Sequence, residues 1–189
     1  MSDDTSHQPS PNDPHPPLQP VPGVGQPADL SSRFLARLID YVLLFVVDVV
    51  IGSVVVLGAI MGYGPGDFVV GTTQTYLAGV VSTVISVAIY LGYFTAMETF
   101  TGQTVGKMLL RLETRGPDGG RPTWEQALRR NLFTAIWILG LVPGVGGLLA
   151  WLGSLVAVIT IAVTISNNPA TRQGWHDDFA GGTRVIRVG

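Results

Sequence analysis

Six ionisable side chains sit where they could do chemistry: Arg33, Asp40, Asp48, Lys107, Arg130 and Asp177. Asp48 is the sharpest case. It stands near the middle of an apolar stretch with no basic residue nearby in sequence, so its charge must be met by another helix, by water or by protonation. That makes it a candidate proton or cation site, set against the plainer role of a helix-contact or cavity-lining carboxylate. Arg33 and Asp40 are seven residues apart, about two helical turns, and so share a face at roughly 10 Å along the axis. Arg37, one turn before Asp40, is spaced to pair with it.

Two further stretches invite a chemical reading and largely decline it. Gly102-Gln103-Thr104-Val105-Gly106-Lys107 ends like a phosphate-binding loop. The G-x-x-x-x-G-K-[ST] pattern, however, needs glycine where Thr101 stands and Ser or Thr where Met108 stands. Nucleotide binding by that mechanism is excluded, and Lys107 is left to reach lipid phosphate or an acidic side chain. In Trp175-His176-Asp177-Asp178, one histidine beside two adjacent acids makes a weak metal-ligand set, because neighbouring side chains point apart. Trp175 suits a membrane interface, and Asp177 is expected to pair with an Arg or Lys from the earlier polar segments. No cofactor and no metal is expected.

The elements that must position these groups follow from composition. The 189 residues carry only 13% charged side chains against 47% apolar ones, about half the roughly 25% charge of soluble domains. Cysteine is absent, which excludes disulfides, thiolate metal sites and a cysteine nucleophile. Residues 33–189 hold eleven basic and nine acidic groups, too little excess for a nucleic-acid footprint. Between Tyr41 and Met97 the only charges are Asp48 and Asp67, and between Asn131 and Thr171 there are none. At about 20 residues per crossing, the first gap predicts spans near 34–61 and 76–97, with a turn at 62–67. The second gap is too long for one ordinary span and is interrupted at Pro143-Gly144. It reads either as helices at 124–141 and 145–166 or as a single kinked span. Residues 108–114 read as an interfacial strand or short helix.

Basic residues fall between 98 and 131, before the first span and after the last, while 62–75 has none. With basic loops inside, an even number of spans satisfies the whole pattern. The expected fold class is therefore all-α: a polytopic transmembrane bundle of four spans, with three as the alternative, and both termini cytoplasmic. Residues 1–32 hold eight of the thirteen prolines and read as a disordered cytoplasmic tail. A protein partner for that tail is the sharper alternative, on a degenerate polyproline match around residues 14–20. The transmembrane domain is expected at 33–188.

Taken together, these motifs resemble the RDD family of small bacterial membrane proteins. R-x-x-A-x-x-I-D appears as Arg33, Ala36, Ile39 and Asp40, and G-x-T-x-G-K as Gly102, Thr104, Gly106 and Lys107. Arg130-Asn131 enters the third span, and His176, Asp177, Ala180 and Gly181 match H-D-x-x-A-G-T, with Gly182 inserted before Thr183. The resemblance implies a cytoplasmic-membrane location and no established active site, with cation/proton antiport proposed for some members. Two functions stay open. One is a proton- or cation-linked transporter or its subunit, using Asp48 and Asp40 and, since four short helices enclose little volume, working as a homo-oligomer. The other is a non-catalytic membrane scaffold. An enzyme would need a nucleophile or metal constellation that the sequence does not offer. Arg33, Asp40, Lys107, Arg130 and Asp177 are expected to meet in one polar network at the cytoplasmic end, with the lipid bilayer around the bundle.

Overall fold

A computed structural model describes the backbone of residues 24–62 and 72–189, with side chains at 24–53 and 79–189. The expected turn at 62–67 lies, after Gly62, outside the described residues, and so does the tail reading for 1–23. Two long helices fill the first charge gap: α1, Leu30–Gly62, and α2, Thr72–Thr101. α1 overruns the expected span by four residues at its start and one at its end, and α2 by four at each end. At 1.5 Å per residue, α1 alone is about 50 Å long.

The polar connector after α2 folds rather than loops. Thr104 caps a short helix, α3, Val105–Leu109, and strand β1 follows at Leu112–Arg115. β1 pairs antiparallel with β2, Arg184–Arg187, near the chain's end, setting Leu112 opposite Arg187 and Thr114 opposite Val185. On its other side β2 bonds to residues 25–28, through Ala28 N–H to the Val185 carbonyl at 2.9 Å and Arg187 N–H to the Gln26 carbonyl at 3.0 Å. The all-α expectation is corrected by this small sheet, and residues 24–32, expected in the tail, belong to the fold. The physical reason is that Leu112, Val185, Ala28 and Ala36 bury together as one apolar cluster that a solvated loop would leave open.

The second charge gap begins with α4, Trp124–Asn131. Its Thr123–Gln126 capping box closes both ways: Gln126 N–H donates to the Thr123 hydroxyl, and Gln126 Oε1 accepts from Thr123 N–H. The chain then tightens into a 3₁₀ helix, Leu132–Leu141, instead of the single α-helix expected over 124–141. It turns at Val142–Val145 and returns as α5, Gly146–Ser166. The break is at the expected Pro-Gly pair, and Gly146 is required there: a Cβ would stand 2.4 Å from the Leu139 carbonyl oxygen. A final short helix, α6, Trp175–Phe179, precedes β2.

Among the described residues two helical stretches are long and apolar enough to cross a membrane, Gly79–Thr101 and Gly146–Ser166. Burial runs opposite to that of a water-soluble domain. Among the described residues thirteen buried side chains are polar or charged against eleven hydrophobic, while Phe45, Trp137, Trp151 and Val156 are more than half exposed. Such a surface needs an apolar surrounding.

Candidate functional site

Where the ends of α1, α2 and α4 meet α3, α6 and the sheet, the charges form one buried ion-pair network. Its centre is Asp177, fully buried at the third residue of α6. One carboxylate oxygen accepts from Arg33 Nη1 at 3.0 Å and from Gly174 N–H at 3.0 Å. The other forms an ion pair with Arg130 Nη2 at 3.1 Å and accepts from the Thr183 hydroxyl at 3.3 Å. Burial pushes the Asp177 carboxyl up, and Arg130 and Arg33 outweigh it, holding the group well below the ordinary carboxylate range. Arg33 spends its other donors on the Ala28 and Val185 carbonyls, at 3.2 and 3.3 Å, and so ties α1 to the sheet.

Arg130 links this centre to a second acid, Glu98, which is fully buried near the end of α2. Lys107 Nζ donates to Glu98 Oε1 and, at 2.7 Å, to the Thr114 hydroxyl. Asn131 Nδ2 donates to Glu98 Oε2 at 3.0 Å, with Arg130 Nε 3.9 Å away. Burial lowers Lys107 to about 8, with Glu98 opposing the shift. Sequence reasoning passed over Glu98. The signal available was charge balance, since Arg33, Arg37, Lys107 and Arg130 outnumber Asp40 and Asp177 two to one.

Asp40 stands apart from the network, which corrects the expectation of five residues in one cluster. Neutral groups hold it: Tyr93 Oη at 2.8 Å, the Thr104 hydroxyl at 2.5 Å and Gly106 N–H at 2.8 Å. The spacing of the glycine–lysine motif is thereby explained. Thr104 and Gly106 clamp α3 onto α1, and a Cβ on Gly106 would sit 2.0 Å from the Ala36 carbonyl oxygen. Arg37 does not pair with Asp40 either. Its guanidinium stacks on Phe94, 3.4 Å from the ring centre, and donates to Asn131 Oδ1 at 2.9 Å. The inserted Gly182 does no damage to the final motif. Gly181 and Gly182 both take left-handed backbone, and Thr183 still reaches Asp177.

Asp48 lies elsewhere. It is half-buried, accepts from the Ser86 hydroxyl at 3.1 Å, and lines a cavity of about 690 Å³. Tyr90, Thr134 and Ser154 share the lining, and among the described residues no basic side chain does. Among the described residues no group of three or more His, Cys, Asp or Glu is placed to hold a metal ion. His176, one candidate ligand, is buried against the network, and desolvation lowers it to about 4, so it is neutral near pH 7.

A family model described as RDD family matches residues 27–181. No curated protein and no solved structure matches the chain.

Proposed function

The chain belongs to the RDD family and its location is a membrane; from that premise we propose that it carries a proton- or cation-linked site at Asp48 and serves as a transporter or a transport-associated subunit. The observation that carries the reading is a carboxylate lining a large cavity, with the Ser86 and Tyr90 hydroxyls beside it and, among the described residues, no basic partner. Asp40, eight residues or about 12 Å earlier on α1, belongs in this reading to the anchor of α3 rather than to the path. The 3₁₀ segment and the turn at Pro143 supply the non-α backbone that transporters tolerate where it borders a cavity.

The arrangement proposed has four spans in the bacterial cytoplasmic membrane, both termini and the ion-pair network on the cytoplasmic side, and a homo-oligomer enclosing the path. No catalytic role is proposed. Proteoliposomes holding an internal acid load test it: Na⁺, K⁺ or Li⁺ added outside should dissipate the pH gradient, and Asp48→Asn should abolish the response. Equal transport by the wild type and Asp48→Asn removes the carboxylate path. Single cysteines introduced into this cysteine-free chain and labelled from each side test the topology. Labelling at position 175 from outside intact cells overturns it.

A second reading, a non-catalytic membrane scaffold, draws on the network itself. Every carboxylate oxygen of Asp177 and Glu98 is satisfied, as a lock requires. Normal assembly of the bundle with no ion-dependent pH change in the liposomes favours it.

A further inference from the structure

Beside the network lies a second cavity, of about 160 Å³, bordered by Arg37, Arg130 and Asn131 and walled by α1 and α5. At about 30 Å³ per water it has room for roughly five. Arg130 is only 6% exposed through its side chain, yet its Nη1 has no hydrogen-bond partner. Nε and Nη2 of Arg37 are also buried without partners. Charge is unbalanced in the same direction. Four cations, Arg33, Arg37, Lys107 and Arg130, face three carboxylates, Asp40, Glu98 and Asp177, leaving one positive charge over. Three aromatic rings, with centres within 3.4 to 5.3 Å of the Arg37 guanidinium carbon, cover part of that charge. The orphan donors still ask for an oxyanion, because buried guanidinium groups left unpaired are expensive.

The outer wall says which source of oxyanion fits. Phe34 and Leu38 of α1, and Val158 and Ile161 of α5, line the same cavity, and the first three are 45% exposed or more. Contact between α1 and α5 is sparse, so the cavity borders an apolar seam. We propose that it binds the phosphate of an anionic membrane lipid, with Arg130 Nη1 and Arg37 Nε and Nη2 as donors and the acyl chains lying along the α1–α5 seam. Asp48 does not line this cavity; it lines the neighbouring one, with which Tyr41, Phe133 and Val158 are shared.

The full chain, delipidated in a non-ionic detergent, is titrated with dioctanoyl phosphatidic acid, dioctanoyl phosphatidylcholine and inorganic phosphate. Binding is followed by tryptophan fluorescence and thermal unfolding. Phosphatidic acid should bind saturably and raise the unfolding temperature, and the other two should bind at least tenfold more weakly. Arg37→Gln removes two of the donors and no ion pair to a carboxylate. It should weaken phosphatidic acid binding tenfold or more, as the loss of charge-assisted hydrogen bonds implies. Ala162→Phe fills the cavity without touching charge and should weaken binding as much, whereas the exposed Arg129→Gln should not. Equal affinity for inorganic phosphate overturns the lipid assignment in favour of a free anion. Failure of phosphatidic acid to bind, or equal binding by folded Arg37→Gln and Ala162→Phe proteins, overturns the site altogether.

Discussion

Neutralising Glu98 is the most demanding test of the ion-pair network, because both of its oxygens accept and neither has a spare side. Lys107 Nζ and the Thr114 hydroxyl meet Oε1, while Asn131 Nδ2 and Arg130 meet Oε2. Glu98→Gln keeps the volume but turns one oxygen into an NH₂ group that must face an N–H donor on either side. It also leaves Lys107 and Arg130 with one compensating charge fewer. Removing one partner of a buried pair costs about 3–5 kcal/mol, so Glu98→Gln should destabilise the protein by about 4 kcal/mol. Lys107→Met alone leaves Glu98 with Asn131, the Thr114 hydroxyl and a distant Arg130, and should cost about 3 kcal/mol. In the double variant the new NH₂ can donate to the Thr114 hydroxyl, which Lys107 no longer occupies, and both charges are gone together. The double variant should therefore fall only about 1–2 kcal/mol below the wild type. Equilibrium unfolding in mixed micelles, followed by circular dichroism, measures all three, and the cycle should yield a coupling of several kcal/mol. Additive losses, or a Glu98→Gln loss under about 1 kcal/mol, refute the network as drawn.

Gly106→Ala should detach α3 from α1 and cut folded yield in membranes several-fold, since its Cβ would meet the Ala36 carbonyl at 2.0 Å; Gly79→Ala, in open space, is the control. Stability should fall as pH drops from about 6.5 to 4, because the unfolded chain protonates His176 in that window and the folded one does not. The lowering to about 4 corresponds to about 3 kcal/mol across it, and thermal unfolding against pH should show His176→Gln with a flatter limb. Asp177→Arg should block assembly and Arg33→Asp should restore part of it, whereas Lys107→Asp should not, because Lys107 pairs with Glu98; yield of detergent-extractable protein reports both outcomes.

Helix placement was legible where charge was scarce. The two gaps gave α1, α2, α5 and the break at Pro143, since an apolar run of membrane length has few other options. Segments between gaps were less legible. The strands at Leu112–Arg115 and Arg184–Arg187 lie about 70 residues apart and become a sheet only through pairing with each other and with residues near Ala28, which local pattern does not register. A basic partner for Asp177 was expected from the earlier polar segments; that Arg33 and Arg130 take it while Lys107 goes to Glu98 is set by the fold. Glu98 was hidden because the charge gap ended at Met97, so the residue was counted as loop when α2 runs on to Thr101. Arg37 and Asp40 show the limit of spacing rules. One turn apart on one helix, they could pair, but Phe94 and Asn131 take the arginine while backbone and hydroxyl donors take the acid.

Three of the acids on α1 and α6, Asp40, Asp48 and Asp177, differ in what surrounds them, and that difference separates joints from the proposed site. Asp177 collects two guanidinium groups, an N–H and a hydroxyl, and Asp40 collects a backbone N–H and two hydroxyls. Each joins elements distant in sequence, and neither is free to exchange a proton or ion without dismantling those joints. Asp48 accepts from Ser86, has the Tyr90 hydroxyl beside it as a second partner, and otherwise lines the cavity. A carboxylate held by hydroxyl groups alone contributes little to assembly, yet removing water from around it is expensive, a cost that the proton or cation proposed for this position would offset. If Asp48→Asn leaves unfolding in micelles within about 0.5 kcal/mol of wild type while Asp40→Asn lowers it by 2 kcal/mol or more, the division holds. Equal losses at the two positions make Asp48 one more strut.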